Sequence, residues 1–373
     1  MFMRLYENAL AAGVRRLGGC RTSLPVEKSW VLGPTASRPF SPRGLLVSLL
    51  SAATIAFLAG ETSIAYADVH DDAKPNVVDD QERATGAAAA LSPTPSIPVD
   101  KLACHRLDGR GCDASQQPVI LVACGSFNPP TVAHVHLLSI VCDYYLRRNI
   151  DVYGAYMSPV HDEYKKPGLV SSEHRVAMCR LAAEGTGFVM VDDWEAGREG
   201  YTRTLRVLDS VDARVRDEMG VVHEALGGEV GTTRVDAPPH PLVPRSVLVC
   251  GADVLASMAE PGVWDQGLLD ELLERHGVAC VVREGTDARE VCGEEEGLVG
   301  RWWRAGRVDI VDVSEDAGDV GVAGVVDICG VSSSGVREVV RRGGGVGAVR
   351  GQLEGVVDER VLDYIQEHGL YTS

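Results

Sequence analysis

Six consecutive apolar residues, Val119 to Cys124 (VILVAC), are followed at once by Gly125 and then by the pair Pro129–Pro130. A run this short and uniformly apolar reads as a strand covered on both faces, as strands are inside parallel sheets. Gly125 permits a sharp turn and a close backbone approach. The two prolines break regular structure before the next element. Leu137, Leu138, Val141 and Tyr145 then recur at helical spacing. This order of strand, turn and helix puts Thr131, His134 and His136 at or near a helix N-terminus, just past a strand's carboxyl end. Ligands of open α/β sheets bind there, and a helix N-terminus favours anions.

The chain has 373 residues, enough for a large buried core, and 45% of them are apolar. The net charge is −17. A field of that sign disfavours non-specific nucleic-acid binding, and nucleic acid is not an expected partner. It does not exclude phosphate ligands, because local cations and helix N-termini act at short range. Ten scattered cysteines form no CxxC pair, so buried, reduced thiols are expected and no metal site is.

The N-terminal third differs from the rest. Residues 1–43 carry seven basic side chains against two acidic ones, and residues 44–60 (GLLVSLLSAATIAFLAG) carry no charge. Ala65 and Ala67 follow in a small-residue pattern. Basic stretch, apolar run and small-residue site are the parts of a targeting signal. Residues 1–67 are therefore expected to direct the chain to an organelle, mitochondrion or plastid. The alternatives are membrane association through residues 44–60, or a cytoplasmic or nuclear protein with an unstructured extension. Residues 68–117 are rich in Asp, Ala, Pro and Ser and read as a disordered linker. The folded domain is expected at 118–373. Residues 220–245 and 284–308 read as variable insertions.

Five further segments follow the first: SPVHDEYKKPGLVSSEHRVAMCRLA (158–182), VDDWEA with TLRVL (191–196 and 204–208), LVCGADVLASMAEPGVW (248–264), VSSSGVREVVRRG (331–343) and DERVLDYIQEHGLY (358–371). Together with GSFNPPTVAH (125–134) they resemble, in order, the motifs of the eukaryotic nicotinamide/nicotinate mononucleotide adenylyltransferase family, within the nucleotidyltransferase superfamily. The resemblance covers about residues 119–371. There are departures from the family pattern. Ser334 stands where Thr is usual, Gly335 replaces a larger residue, His136 stands where Arg is frequent, and a Gly-rich stretch follows Arg342.

The resemblance implies an α/β domain with a Rossmann-like parallel sheet flanked by helices. It also implies adenylyl transfer from ATP to nicotinamide mononucleotide or nicotinic acid mononucleotide, with Mg²⁺ accompanying ATP. Such chemistry needs positioning and charge stabilisation more than a covalent nucleophile. His134 would bond the α-phosphate. Gly125, Ser126 and Phe127 would shape the nucleotide site, with Thr131 giving its hydroxyl to a phosphate or merely capping its helix. One of Lys165 and Lys166 would reach the phosphates. Arg337 and the Ser332-Ser333-Ser334 run would take the β- and γ-phosphates. Gly251 and Asp253 suit a ribose or adenine edge, with helix capping as the alternative for Asp253. Trp194 and Trp264 would stack on a pyridinium ring unless they are simply core, and Thr204 is a further candidate substrate contact. A homo-oligomer fits the family as well as a monomer does. The rival readings are another small-molecule nucleotidyltransferase of the superfamily, or a nucleotide-binding scaffold without turnover.

Overall fold

The computed structural model describes residues 96–102, 117–164, 166–225, 244–282, 287–293, 297–312 and 332–373. Strands β1 (Val119–Gly125), β2 (Val152–Pro159), β3 (Val189–Val191), β4 (Arg245–Gly251), β5 (Val278–Val282) and β6 (Val308–Asp312) form one sheet. Their order is β3-β2-β1-β4-β5-β6, and every pairing is parallel. The chain therefore reverses its direction of travel across the sheet between β1 and β4. That reversal opens a crevice at the strands' carboxyl ends.

Successive β1 residues serve opposite faces, which explains the unbroken apolar run. Val119, Leu121 and Ala123 meet Leu138, Val141 and Tyr145 of α1 (Val132–Arg147) and Val176 and Cys179 of α2 (Ser172–Glu184). Ile120, Val122 and Cys124 share the other face with Val207, Leu208 and Val211 of α3 (Thr204–Ala225). Leu255 of α4 (Ala252–Ala259) and Leu272 of α5 (Gln266–Arg275) complete that face. Each fully buried side chain of this kind contributes about 1.5–3 kcal/mol. Among the described residues Cys124, Cys179, Cys250, Cys280 and Cys292 are buried free thiols, and Cys142 is half-buried.

A third apolar cluster joins Met178 of α2 to α8 (Ser333–Gly343), α9 (Val346–Leu353) and α10 (Glu359–Glu367). The Gly-rich stretch after Arg342 is what lets α8 and α9 meet. A Cβ on Gly343 would overlap Val349 Cγ1, and Gly344 and Gly345 hold φ of 70° and 132°, where L side chains are disfavoured.

Two boundaries differ from the expectation. Residues 96–102 fall inside the stretch read as linker, yet Ile97 and Leu102 are buried in the α3-side core. Tyr156 Oη donates to Pro98 O at 2.6 Å, and Lys101 Nζ donates to Ala183 O and Val189 O at 2.8 and 2.9 Å. Two buried apolar side chains, the partly buried Val99 and one lysine dock a strap whose local composition reads as linker. Residues 284–308, read as an insertion, contain α6 (Ala288–Cys292), α7 (Leu298–Arg304) and the first residue of β6. Val291, Cys292 and Val299 are core, so this segment is the crossover from β5 to β6. There Trp302 Nε1 donates to Asp270, a structural role. Residues 1–95, which include the expected targeting segment and 44–60, lie outside the described residues. Among the described residues no helix is long and apolar enough to cross a membrane.

Candidate active site

The turn after β1 is shaped by Phe127 rather than by Gly125. Phe127 takes φ of 43°, a conformation costly for an aromatic residue, and its buried ring lies 3.4 Å from where a Gly125 Cβ would be. The ring also meets His134 edge to face, with centroids 5.2 Å apart.

Thr131 is the N-cap of α1 and is 1% exposed. Its backbone N–H donates to His134 Nδ1 at 3.0 Å, and its hydroxyl lies 2.8 Å from the same nitrogen. With a main-chain donor aimed at Nδ1, that nitrogen is an acceptor and the proton sits on Nε2. Burial, with the nearby Lys166 charge adding to it, pulls the His134 pKa down to about 4. His134 is thus a neutral imidazole holding an N–H donor at the helix start. Of the two readings of Thr131, the N-cap is the one seen, and from that position it orients His134.

Lys166 is half-buried and Lys165 lies outside the described residues. Burial first, then the Arg337 charge, lowers the Lys166 pKa. Arg337 is itself half-buried; its Nη1 donates to Asn128 O at 2.7 Å and its Nη2 to Ser334 Oγ at 3.3 Å. No carboxylate among the described residues pairs with Lys166 or Arg337.

The three serines do not act alike. Ser332 is buried and its Oγ accepts from Gly335 N at 2.9 Å, capping α8 despite the glycine. Ser333 Oγ donates to Pro129 O at 2.8 Å, tying α8 to the β1 turn. Only Ser334, exposed beside Arg337, keeps its hydroxyl turned to solvent. Of the three serines, only Ser334 leaves its hydroxyl exposed, beside Arg337 and the N–H groups of the helix start.

Gly251 ends β4 and caps α4, with open space where a Cβ would be, and Asp253 is exposed in the first turn. Both remain free to meet a ligand. The two tryptophans line separate depressions. Trp264 faces a narrow cleft with Tyr201, Thr204 and Leu268, its Nε1 donating to Ser257 Oγ at 3.0 Å. Trp194 faces an open groove of about 790 Å³ with Ser172, Arg180 and Arg198. Two guanidiniums already lie over the Trp194 ring, Arg198 at 4.8 Å and Arg214 at 5.5 Å. His136, half-buried on α1, has its pKa lowered by burial and makes no bond to the phosphate-side groups.

Two residues of the site framework had no role assigned from sequence. Arg175, fully buried, donates to Val170 O, Ser126 O, Val160 O and Asp162 Oδ1 at 2.7–3.2 Å. Asn128, also fully buried, donates from Nδ2 to Gly168 O at 2.8 Å and accepts at Oδ1 from Val170 N–H and Tyr371 Oη. Their place in the motifs GSFN and EHR was the only available signal. Among the described residues no three His, Cys, Asp or Glu side chains converge as a metal cage.

A parallel sheet in this order, with a helix start and unpaired cations at its switch point, defines a nucleotide-binding α/β protein that handles phosphates. Residues 122–339 match the Cytidylyltransferase-like family. The chain is 33% identical over 278 residues to the nicotinamide/nicotinic acid mononucleotide adenylyltransferase of Arabidopsis thaliana, covering 74% of this chain and 98% of that one. The Oryza sativa subsp. japonica protein of the same name is 34% identical over 275 residues, covering 74% and 93%. A solved structure of Plasmodium falciparum nicotinic acid mononucleotide adenylyltransferase complexed with NaAD is 15% identical, covers 68% of this chain and 98% of that one, and has a TM-score of 0.41. The chain belongs to the Cytidylyltransferase-like family, and within it to the nicotinamide/nicotinic acid mononucleotide adenylyltransferases.

Proposed function

We infer that this chain is an enzyme that transfers the adenylyl group of ATP to nicotinamide mononucleotide or nicotinic acid mononucleotide. The observation that carries this is the convergence of the neutral His134 donor, Lys166 and Arg337 at the β1 turn, with no carboxylate among the described residues paired to either cation. Uncompensated donors at a helix start suit a polyphosphate.

The mononucleotide's phosphate oxygen attacks the α-phosphorus of ATP. The bond from that phosphorus to the bridging oxygen breaks, and pyrophosphate leaves with the electron pair. His134 Nε2–H donates to the α-phosphate as charge accumulates, held in aim by Thr131. Lys166, Arg337 and Ser334 take the phosphates that leave. Gly251 and Asp253 support the adenosine, and Trp264 with Thr204 the pyridine end. Mg²⁺ is read as part of the substrate MgATP, held by phosphate oxygens and water rather than by side chains. The same enzyme is proposed to reach an organelle or a membrane through residues 1–67, for which the basic stretch and apolar run are the support.

The test uses the full chain with MgATP and each mononucleotide. NAD is read through alcohol dehydrogenase, and the acid dinucleotide by chromatography. His134→Ala is expected to lower kcat by about 10²–10³. Because His134 already lacks a second proton, kcat is expected to show no His134 limb between about pH 5 and 8. Wild-type turnover in His134→Ala, or no dinucleotide from either acceptor, contradicts the assignment.

A further inference from the structure

The β1 turn is held from a distant part of the chain. Tyr371 takes φ of 63° and is 9% exposed. Its hydroxyl donates to Asn128 Oδ1 at 2.7 Å. The other donor to that oxygen, Val170 N–H, is 3.4 Å away. Tyr371 is therefore the strong partner fixing which way the Asn128 amide faces. With Oδ1 held, Nδ2 points at Gly168 O, in the loop that follows Lys166. The main-chain carbonyl of the same Asn128 receives Arg337 Nη1. The Tyr371 side chain also lies within electrostatic reach of Arg337 and Arg175.

We propose that Tyr371 is a positioning residue of the active site, its hydroxyl setting Asn128 and through it the placement of Arg337 and the Lys166 loop for the triphosphate of ATP. This rests on the adenylyl-transfer reading for the identity of that ligand. A purely structural Tyr371 needs only its ring, which packs in the cluster of α8, α9 and α10. The hydroxyl separates the two roles. A phenylalanine keeps the ring and its burial and removes only the bond to Asn128. Loss of one neutral buried hydrogen bond corresponds to about five- to tenfold in an equilibrium constant.

The experiment compares the full chain with its Tyr371→Phe and Thr372→Ala variants. Among the described residues the Thr372 hydroxyl bonds only Gly369 O, at 3.0 Å, and Thr372 is exposed. Kinetic constants for both substrates are measured, together with the Kd for MgATP by calorimetric titration. Tyr371→Phe is expected to raise both the MgATP Kd and the KM for ATP about five- to tenfold. The KM for the mononucleotide is expected to stay within about twofold, and Thr372→Ala to match the wild type. Three results each overturn the proposal: wild-type MgATP binding by Tyr371→Phe, an equal rise for both substrates, or an equal loss in Thr372→Ala. If the wild type makes no dinucleotide, the functional reading fails by itself, and the MgATP titration still decides on Tyr371.

Discussion

Arg214 and Asp192 form a two-pronged ion pair inside the protein, with side chains 2% and 0% exposed. The Arg214 Nη atoms reach the two Asp192 oxygens at 2.8 and 2.6 Å, and Asp192 Oδ1 also accepts from Trp194 N–H at 3.2 Å. Arg214→Met keeps most of the aliphatic stem and strands the Asp192 charge with that one donor. Breaking a buried pair from one side costs about 3–5 kcal/mol, because the remaining ion is left without compensation. That is a large share of the about 5–15 kcal/mol that holds a domain together. At about 2–4 °C per kcal/mol for a large domain, Tm should fall by about 6–20 °C. Thermal unfolding of the full chain, followed by near-ultraviolet circular dichroism, measures it. The double variant Asp192→Asn/Arg214→Met removes both charges and keeps an acceptor for Trp194 N–H. It should recover at least about half of the single variant's loss, since the cost lies mainly in the stranded charge. The reasoning is wrong if Arg214→Met melts within about 2 °C of the wild type, or if the double variant loses the sum of both singles.

Two other perturbations test the packing around the site. Glu195 is fully buried, and burial followed by the Asp192 charge raises its pKa well above the ordinary 4.5. The folded protein then keeps a proton that the unfolded chain releases, so stability falls as pH rises above that value. Glu195→Gln removes the titration, and its Tm advantage over the wild type should grow from pH 5 to pH 8; parallel curves would dispose of the idea. Leu102→Ala should cost about 2–4 kcal/mol in urea unfolding and leave both KM values unchanged. No loss of stability would mean that residues 96–102 are not docked.

The sheet was legible because VILVAC, SVLVC and the segments after them carry strong local signals: short apolar runs, turn residues, then helical spacing. His134, Arg337 and Gly251 were legible through motif context, since each sits at an element start that sequence order locates. The division of labour among Ser332, Ser333 and Ser334 was not. It depends on where Gly335 N–H and Pro129 O fall in space, and three identical side chains carry no mark of that. The N-cap role of Thr131 was legible, but its contact to His134 was not, because that is set by the rotamer of His134. Asn128 and Arg175 were visible as letters only, since their partners, such as Gly168 O for Asn128 and Ser126 O for Arg175, are brought to them by the fold. The strap at 96–102 was misread because two buried side chains in seven residues do not stand out from a Pro- and Ala-rich stretch.

The bond between Tyr371 and Asn128 spans 243 residues, and Arg337 reaches Asn128 across 209. Synthesis proceeds from the N-terminus, and folding follows it. The sheet can gather strand by strand as β1 to β6 emerge, but the turn after β1 waits for partners that lie beyond β6. A nascent chain carrying the complete sheet has the histidine of the site without its finished surroundings. Until the segment beyond β6 docks, the β1 turn lacks both Arg337 and Tyr371 on Asn128.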